Sequence, residues 1–464
     1  MAKEQVIDVT RFIDERRMNR FNAKIVIFCF FIILFDGYDI AALGYAGPSL
    51  VKAWGITSMA ALGVAFSSGL FGVLFGSPIL GWIGDRWGRN RAIVLSCAII
   101  GIFTLATIWA SSLQQLIYLR FITGIGIGGM LPNTITLNAE FAPRRFRATM
   151  IIVMFSGITF GGAVPGPIAA WLVPTQGWQV LFLIGGIIPL VIGAAAALWL
   201  PESIKYLAAR PERRDDAVKM LRQLDPTLQI DPQTRIVLSD DRVYAAFRPS
   251  QLFADGLHWI TPLLWVCFIC NLMSFYFVNT WLPTVLTAAS VSIPHAALST
   301  SLFQIGGTLG GLALSRPIDK MGLAPVCVLF VLSLLIAPFI GYAKDPEWLL
   351  MTIVFLAGFT LLGLQFGLNA TSALIYPTSI RANGSGWAFA VGRFGSISGP
   401  IVAGVLIGMH LSIENLFLFL IVPLAVGTVC SFVLARLYYA HFQGMGLDRR
   451  DTMEAARRAP AGSG

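Results

Sequence analysis

The chain has 464 residues, of which 56% are hydrophobic and only 12% charged, with a formal net charge of +9 and a mean hydropathy of +0.74. That balance excludes a water-soluble enzyme built round a single core and indicates a polytopic membrane protein. The positive excess requires no nucleic acid, because basic loops beside an anionic leaflet account for it.

Twelve apolar runs of helix-spanning length follow in order, at 24–47, 58–83, 92–111, 114–141, 149–172, 179–200, 259–286, 297–318, 323–342, 347–374, 384–409 and 414–437. The first is too long for a signal-peptide core and lacks a well-placed small-residue cleavage site, so it is expected to be retained. A polar stretch rich in Arg, Asp and Pro separates the sixth run from the seventh, and the helical spacing of 213–224 within it predicts one or two short surface helices. The expected fold is therefore an all-α polytopic membrane protein. Its N-terminal six-helix bundle spans 1–200, a cytoplasmic linker 201–258, a C-terminal six-helix bundle 259–440 and a cytoplasmic tail 441–464. With both termini inside, the outer loops hold only Lys52 and Lys344 of the 33 basic residues, which is the asymmetry that orients membrane helices. The six cysteines (Cys29, Cys97, Cys267, Cys270, Cys327, Cys430) all fall in apolar runs and read as small buried hydrophobes; the Cys267-x-x-Cys270 spacing has no second pair and no nearby His.

The first run carries its own interruption, Asp36-Gly37-Tyr38-Asp39, after an apolar stretch from Ile25 to Phe35. An ionisable group at that depth costs about 2.5 to 3.5 kcal/mol on insertion scales and belongs in a bundle interior or a wet cavity. Asp36 and Asp39, three residues apart, share nearly one helix face. They read either as proton carriers or as a structural hydrogen-bonded cluster.

A repeat organises the rest. The same offset of 234 residues separates Asp85 from Asp319, Pro143 from Pro377 and Arg147 from Arg381, which implies parallel duplication of a six-helix unit with binding near the midplane between the halves. Gly81-x-x-x-Asp85-Arg86-x-Gly88-Arg89 resembles the loop signature of the major facilitator superfamily, and Arg120-x-x-x-Gly124-x-Gly126 resembles the fourth-helix signature of its proton-driven members. The Asp36–Asp39 quartet is similar to that of the aromatic acid/proton symporter family, as are Tyr376-Pro377-Thr378-x-x-Arg381-x-x-Gly384-x-Gly386-Trp387-Ala388 and Gly392-Arg393-x-Gly395. The likeness covers the whole membrane domain. It departs at Asn383-Gly384-Ser385, where the family often has a Thr-Gly pair, and the second loop motif is degenerate, with Pro317 inside it.

The resemblance implies a carrier of small aromatic carboxylates coupled to protons, working as a monomer in the inner membrane without a cofactor. Such a carrier needs a cation for the carboxylate, apolar walls for the ring and an acid whose protonation shifts an equilibrium. Arg120 lies about 9 Å into its helix and Asp39 about 12 Å into its own at 1.5 Å per residue, so an Arg120 pairing with Asp39 is expected, for proton coupling or as a packing lock. Arg393, roughly 14 Å into the eleventh run, has no acid at similar depth in its half and is the expected carboxylate anchor. Ring contacts are expected from Tyr38, Phe275, Tyr276, Trp281, Phe366 and Trp387, and polar readout from Asn271, Asn279, Gln365 and Asn369. At the inner face Asp85, Arg86, Arg89, Glu140 and Arg144 are expected to form a salt-bridge gate.

Other motifs carry less. Gly124-x-Gly126-x-x-Gly129 matches a dinucleotide fingerprint by letter but sits inside a spanning helix, where close packing is its role. His258, His295, His410 and His441 are scattered and make no metal site, and no phosphate loop occurs. Carriage of a non-aromatic anion such as a dicarboxylate or sugar acid, or proton-driven drug export, fits the same signatures.

Overall fold

The computed structural model describes residues 6–16, 18–143, 145–225, 228, 230, 234–237, 249–254, 256–343, 346–376 and 380–442. Among them run twelve membrane helices: α1 (Arg20–Trp54), α2 (Met59–Trp87), α3 (Arg89–Ala106), α4 (Leu113–Phe141), α5 (Arg147–Ala163, resuming as Pro165–Gln176), α6 (Gln179–Trp199), α7 (Ile260–Ala288), α8 (Ile293–Met321), α9 (Ala324–Ile336), α10 (Glu347–Ile375), α11 (Arg381–Gly408) and α12 (Ile413–Leu418, resuming as Ile421–Phe442). Eleven of these segments are long and apolar enough to cross a membrane by composition. The remaining one, α4, is 29 residues long but diluted by Arg120, Asn133, Asn138 and its glycines.

Helix ends overrun the apolar runs because capping chemistry, not hydropathy, stops a helix. The first run was expected over 24–47, yet α1 begins at Arg20, where Asn19 and Asn22 cap each other through reciprocal backbone bonds of 3.0 and 3.1 Å. It ends where Gly55 turns left-handed at φ 58°.

The chain divides into two compact units, one comprising Met1–Thr57 and Val64–Val243, the other Ser58–Gly63 and Tyr244–Gly464. Within the first, α1 packs on α5, α3 on α4 and α3 on α6; within the second, α7 packs on α11, α9 on α10 and α9 on α12. Each pairing recurs six helices later, which is what a duplicated six-helix unit requires.

Small residues set how closely these helices approach. A Cβ on Gly161 of α5 would sit 1.8 Å from the Leu34 carbonyl oxygen of α1, and one on Gly37 would sit 2.2 Å from that of Ile158. In α4, a Cβ on Gly124 would lie 2.0 Å from the backbone of Gly69 in α2, and Gly126 and Gly129 abut Ile100, Leu80 and Ser96. The dinucleotide-like spacing is thus a packing surface.

The polar linker adds more than surface helices. Ile204–Ala208 is capped by the Ser203 hydroxyl, and Arg214–Leu224 buries Ala217, Met220, Leu221 and Leu224 along one face. A two-stranded parallel sheet pairs β1 (Val6–Asp8) with β2 (Arg235–Val237), the one departure from the expected all-α content among the described residues. Ile7, Val9, Ile13, Leu207, Leu221 and Leu224 join Ile25, Cys29 and Phe141 in one continuous hydrophobic cluster. Asp14 closes the arrangement by pairing with Arg147 at the start of α5, 2.6 Å away.

Gly161→Ala should lower the detergent melting temperature, since overpacking a filled contact costs about 1–3 kcal/mol. Gly386→Ala, where nothing lies within 4 Å of the new Cβ, should hold or raise it. Equal melting of the two variants would contradict the close-approach account of the α1–α5 contact.

Candidate functional site

In the first unit the expected partners meet. Nη1 of Arg120 donates to both oxygens of Asp39, at 3.2 and 3.1 Å, and both side chains are only 3% exposed. Nη2 donates to the hydroxyls of Thr104, Thr107 and Thr123 at 3.1, 3.0 and 3.2 Å. Those hydroxyls are oriented to accept, because each has its proton committed elsewhere. Thr104 donates to Asp39 Oδ1 at 2.7 Å, Thr107 to the Phe103 carbonyl and Thr123 to the Leu119 carbonyl, both at 2.9 Å. The Phe182 ring of α6 covers the guanidinium face with its centroid 5.1 Å from Cζ. Four helices therefore converge on one neutralised charge pair, with hydrogen bonds taking the place of water.

The threonines were not anticipated from sequence. Their signal was the three-residue spacing of Thr104 and Thr107 on one face of an apolar helix, and of Thr123 from Arg120. Asp36 is also buried, at 4% exposure, one turn before Asp39. Tyr38 is fully enclosed and donates its hydroxyl to the Leu181 carbonyl of α6 at 3.0 Å. It clips α1 to α6.

The second unit arranges its polar residues differently. Asn271 of α7 donates to Gln365 of α10 at 2.9 Å, and Gln365 donates to Asn369 at 3.2 Å, a polar track through otherwise apolar helices. The amide oxygens of Asn271 and Asn279 are buried without a hydrogen-bond donor among the described residues. Phe275 packs edge-on to Tyr276 and stacks on Phe303, with centroids 5.0 and 5.9 Å apart. Phe366 lies against Gly311 of α8. Trp281 is buried and spends its N–H on the Pro400 carbonyl at 2.9 Å, which ties α7 to α11. Trp387 is 42% exposed and stacks on Trp265 at 6.3 Å.

Arg393 is half-buried, and its guanidinium lies over the Phe389 ring at 5.1 Å. Among the described residues no carboxylate stands within ion-pairing distance of it.

The expected gate residues spread over a wider network. Arg89 pairs with Asp85 and donates to Asn133 at 3.3 Å. Glu140 takes its direct hydrogen bond from the Ser203 hydroxyl rather than from an arginine. Arg86 stacks on Trp82, while its carbonyl accepts from Arg210 at 2.6 Å. Arg144, like the side chain of Asp319, lies outside the described residues. Glu202, not singled out from sequence, accepts from the backbone N–H groups of Asn90 at 3.1 Å and Ser203 at 2.8 Å, so it caps the start of α3. A carboxylate just past the sixth run and a glycine at position 88, which adopts φ 112° in the structure, were the available sequence signals.

Comparison with known proteins places this geometry. The profile described as Major Facilitator Superfamily matches residues 29–340 and 264–449. The chain is 33% identical over 424 residues to the 4-hydroxybenzoate transporter PcaK of Pseudomonas putida, covering 91% of this chain and 94% of that one. It is 35% identical over 420 residues to a gallate transporter of Pseudomonas putida, covering 90% and 92%. The benzoate transport protein of Acinetobacter baylyi is 31% identical over 442 residues, covering 94% and 93%. Among solved structures, a D-xylose-proton symporter superposes with a TM-score of 0.68 at 16% identity, covering 89% of this chain and 97% of that one, which shows a shared fold. The duplicated six-helix units, the fourth-helix arginine and these relatives together establish that the chain belongs to the major facilitator superfamily, within its aromatic acid/proton symporter family.

Proposed function

We propose that this protein imports a small aromatic carboxylate, of benzoate or hydroxybenzoate type, together with protons, across a bacterial inner membrane by alternating access. It acts as a monomer with both termini in the cytoplasm. The relatives named for 4-hydroxybenzoate, gallate and benzoate support the substrate class, at 31–35% identity over at least 90% of the chain.

The observation that carries the division of labour is a contrast between two membrane arginines. Arg120 is neutralised by Asp39, whereas Arg393 meets no carboxylate among the described residues. A guanidinium offers two parallel donors to a carboxylate, so Arg393 is the anchor for the substrate anion. The donor-less amide oxygens of Asn271 and Asn279 suit ring hydroxyls. Phe275 and Tyr276 supply apolar surface beside them on the same helix.

Asp39, with Asp36 one turn away, is assigned to the proton. Protonating Asp39 removes the counter-ion of a buried guanidinium, and breaking such a pair costs about 3–5 kcal/mol. Four helices hold that pair, so the cost falls on their packing and biases the conformational equilibrium. At the inner end, Asp85, Arg86, Arg89, Glu140 and Arg144 are assigned to the gate, with Glu202 fixing the start of α3.

Asp39→Asn and Asp36→Asn should each abolish accumulation driven by an imposed pH gradient in proteoliposomes, while substrate exchange in the absence of a gradient persists. Parental accumulation in both variants would remove the coupling role of these carboxylates.

Arg393→Lys should weaken substrate binding by about ten- to a hundredfold, because one charge-assisted hydrogen bond contributes roughly 1.5–3 kcal/mol. If Arg393 serves only packing, the variant should instead melt lower without ligand and bind with parental affinity, so both are measured on one preparation.

A further inference from the structure

One cleft in the first unit lies away from the buried charge pair, at the end of α3 and α6 next to the linker. It holds about 500 Å³. Arg91, Val94, Leu95 and Ala98 line it from α3 at positions i, i+3, i+4 and i+7, so they form one stripe running about 10 Å along the helix from a charge to apolar surface. Ala197 of α6 extends the apolar side, and Arg213 stands at the charged end.

This gradient has a natural level in the bilayer. Trp82, Trp87 and Trp199, exposed by 54%, 51% and 60%, ring the same end of the unit, where tryptophan marks the headgroup layer. The charge balance of the cleft is positive. Glu202 borders it, but its carboxylate is engaged by the N–H groups of Asn90 and Ser203. Arg213 shares its charge with Asp216 at 3.2 Å. Arg210 adds a cation by stacking on Tyr206 at 3.9 Å. Arg91 is exposed and has no acidic partner among the described residues.

We propose that this cleft binds an anionic phospholipid of the inner leaflet, with its phosphodiester on Arg91 and Arg213 and an acyl chain along Val94, Leu95, Ala98 and Ala197. The occupant is amphipathic because the site is: a soluble anion leaves the alanine-floored half empty, and a neutral lipid leaves Arg91 without a counter-ion. Bound there, the lipid bridges α3, α6 and the linker beside the Glu202 cap, and stabilises that end of the first unit.

The test uses the full-length protein in phosphatidylcholine nanodiscs with or without phosphatidylglycerol, read by melting temperature and by lipids retained in native mass spectrometry. Phosphatidylglycerol should raise the melting temperature of the parent and be retained in preference to phosphatidylcholine. Arg91→Glu should cut that preference by about tenfold or more. Ala197→Phe, which fills the apolar half from an exposed position, should cut it with the arginines intact. Both variants should melt like the parent in phosphatidylcholine alone, since neither side chain is buried. Glycerol 3-phosphate, which carries the phosphate without a tail, should neither raise the melting temperature nor compete. An undiminished preference in either variant, or equal stabilisation by glycerol 3-phosphate, overturns the proposal. Substrate uptake does not enter the readout, so the result is independent of the transport assignment.

Discussion

A guanidinium inside an apolar bundle is tolerated only if its charge is matched and its terminal nitrogens are hydrogen-bonded, and the first unit is built round meeting both conditions for Arg120. Asp39 supplies the opposite charge from α1, and α3, the 3-10 turn that follows it and α4 supply three threonine hydroxyls already turned to accept. Because the partners come from different helices, the pair specifies how α1, α3 and α4 register against one another. The glycines that let α1 meet α5 at backbone distance serve the same end, since a pair with only 3% exposure leaves no room for slack.

The second unit inherits the helix pairings of the first without such a buried charge pair among its described residues. Its polar track is made of amides, linked from Asn271 through Gln365 to Asn369, and Arg393 stacks on an aromatic ring instead of a carboxylate. Duplication thus preserved the packing and let the chemistry diverge. In the proposed mechanism that divergence is the basis of coupling: one unit holds an acid that a proton can neutralise, and the other holds a cation suited to an anion.

The linker is more integrated than its polarity suggests. Its two helices and β2 fold with the N-terminal segment onto the end of the first bundle, sharing one hydrophobic cluster with α1 and α4. A contact among Ser203, Glu140, Glu202 and Asn90 ties the chain beyond α6 to the start of α3. The proposed gate and the proposed lipid cleft therefore meet at α3, whose first turn carries both Arg89 and Arg91.

Much of this was legible in the chain itself. Runs of apolar residues located all twelve helices, because a bilayer demands apolar length, although α4 is diluted below the other eleven by Arg120, Asn133 and Asn138. The constant offset between Asp85 and Asp319 exposed the duplication, and matching depths paired Arg120 with Asp39. Helix limits were less legible, since Asn19 and Gly55 end α1 by capping and backbone conformation, well outside the apolar run. Aromatic roles were the least legible. Tyr38 and Trp281 look like ligand walls by residue type, yet each is enclosed and has committed its polar hydrogen to a carbonyl. Which face of a helix a ring presents, and which hydroxyl turns its lone pair toward Arg120, depend on neighbours far apart in sequence. Composition and periodicity report what a segment can bury; only the packed bundle decides against what.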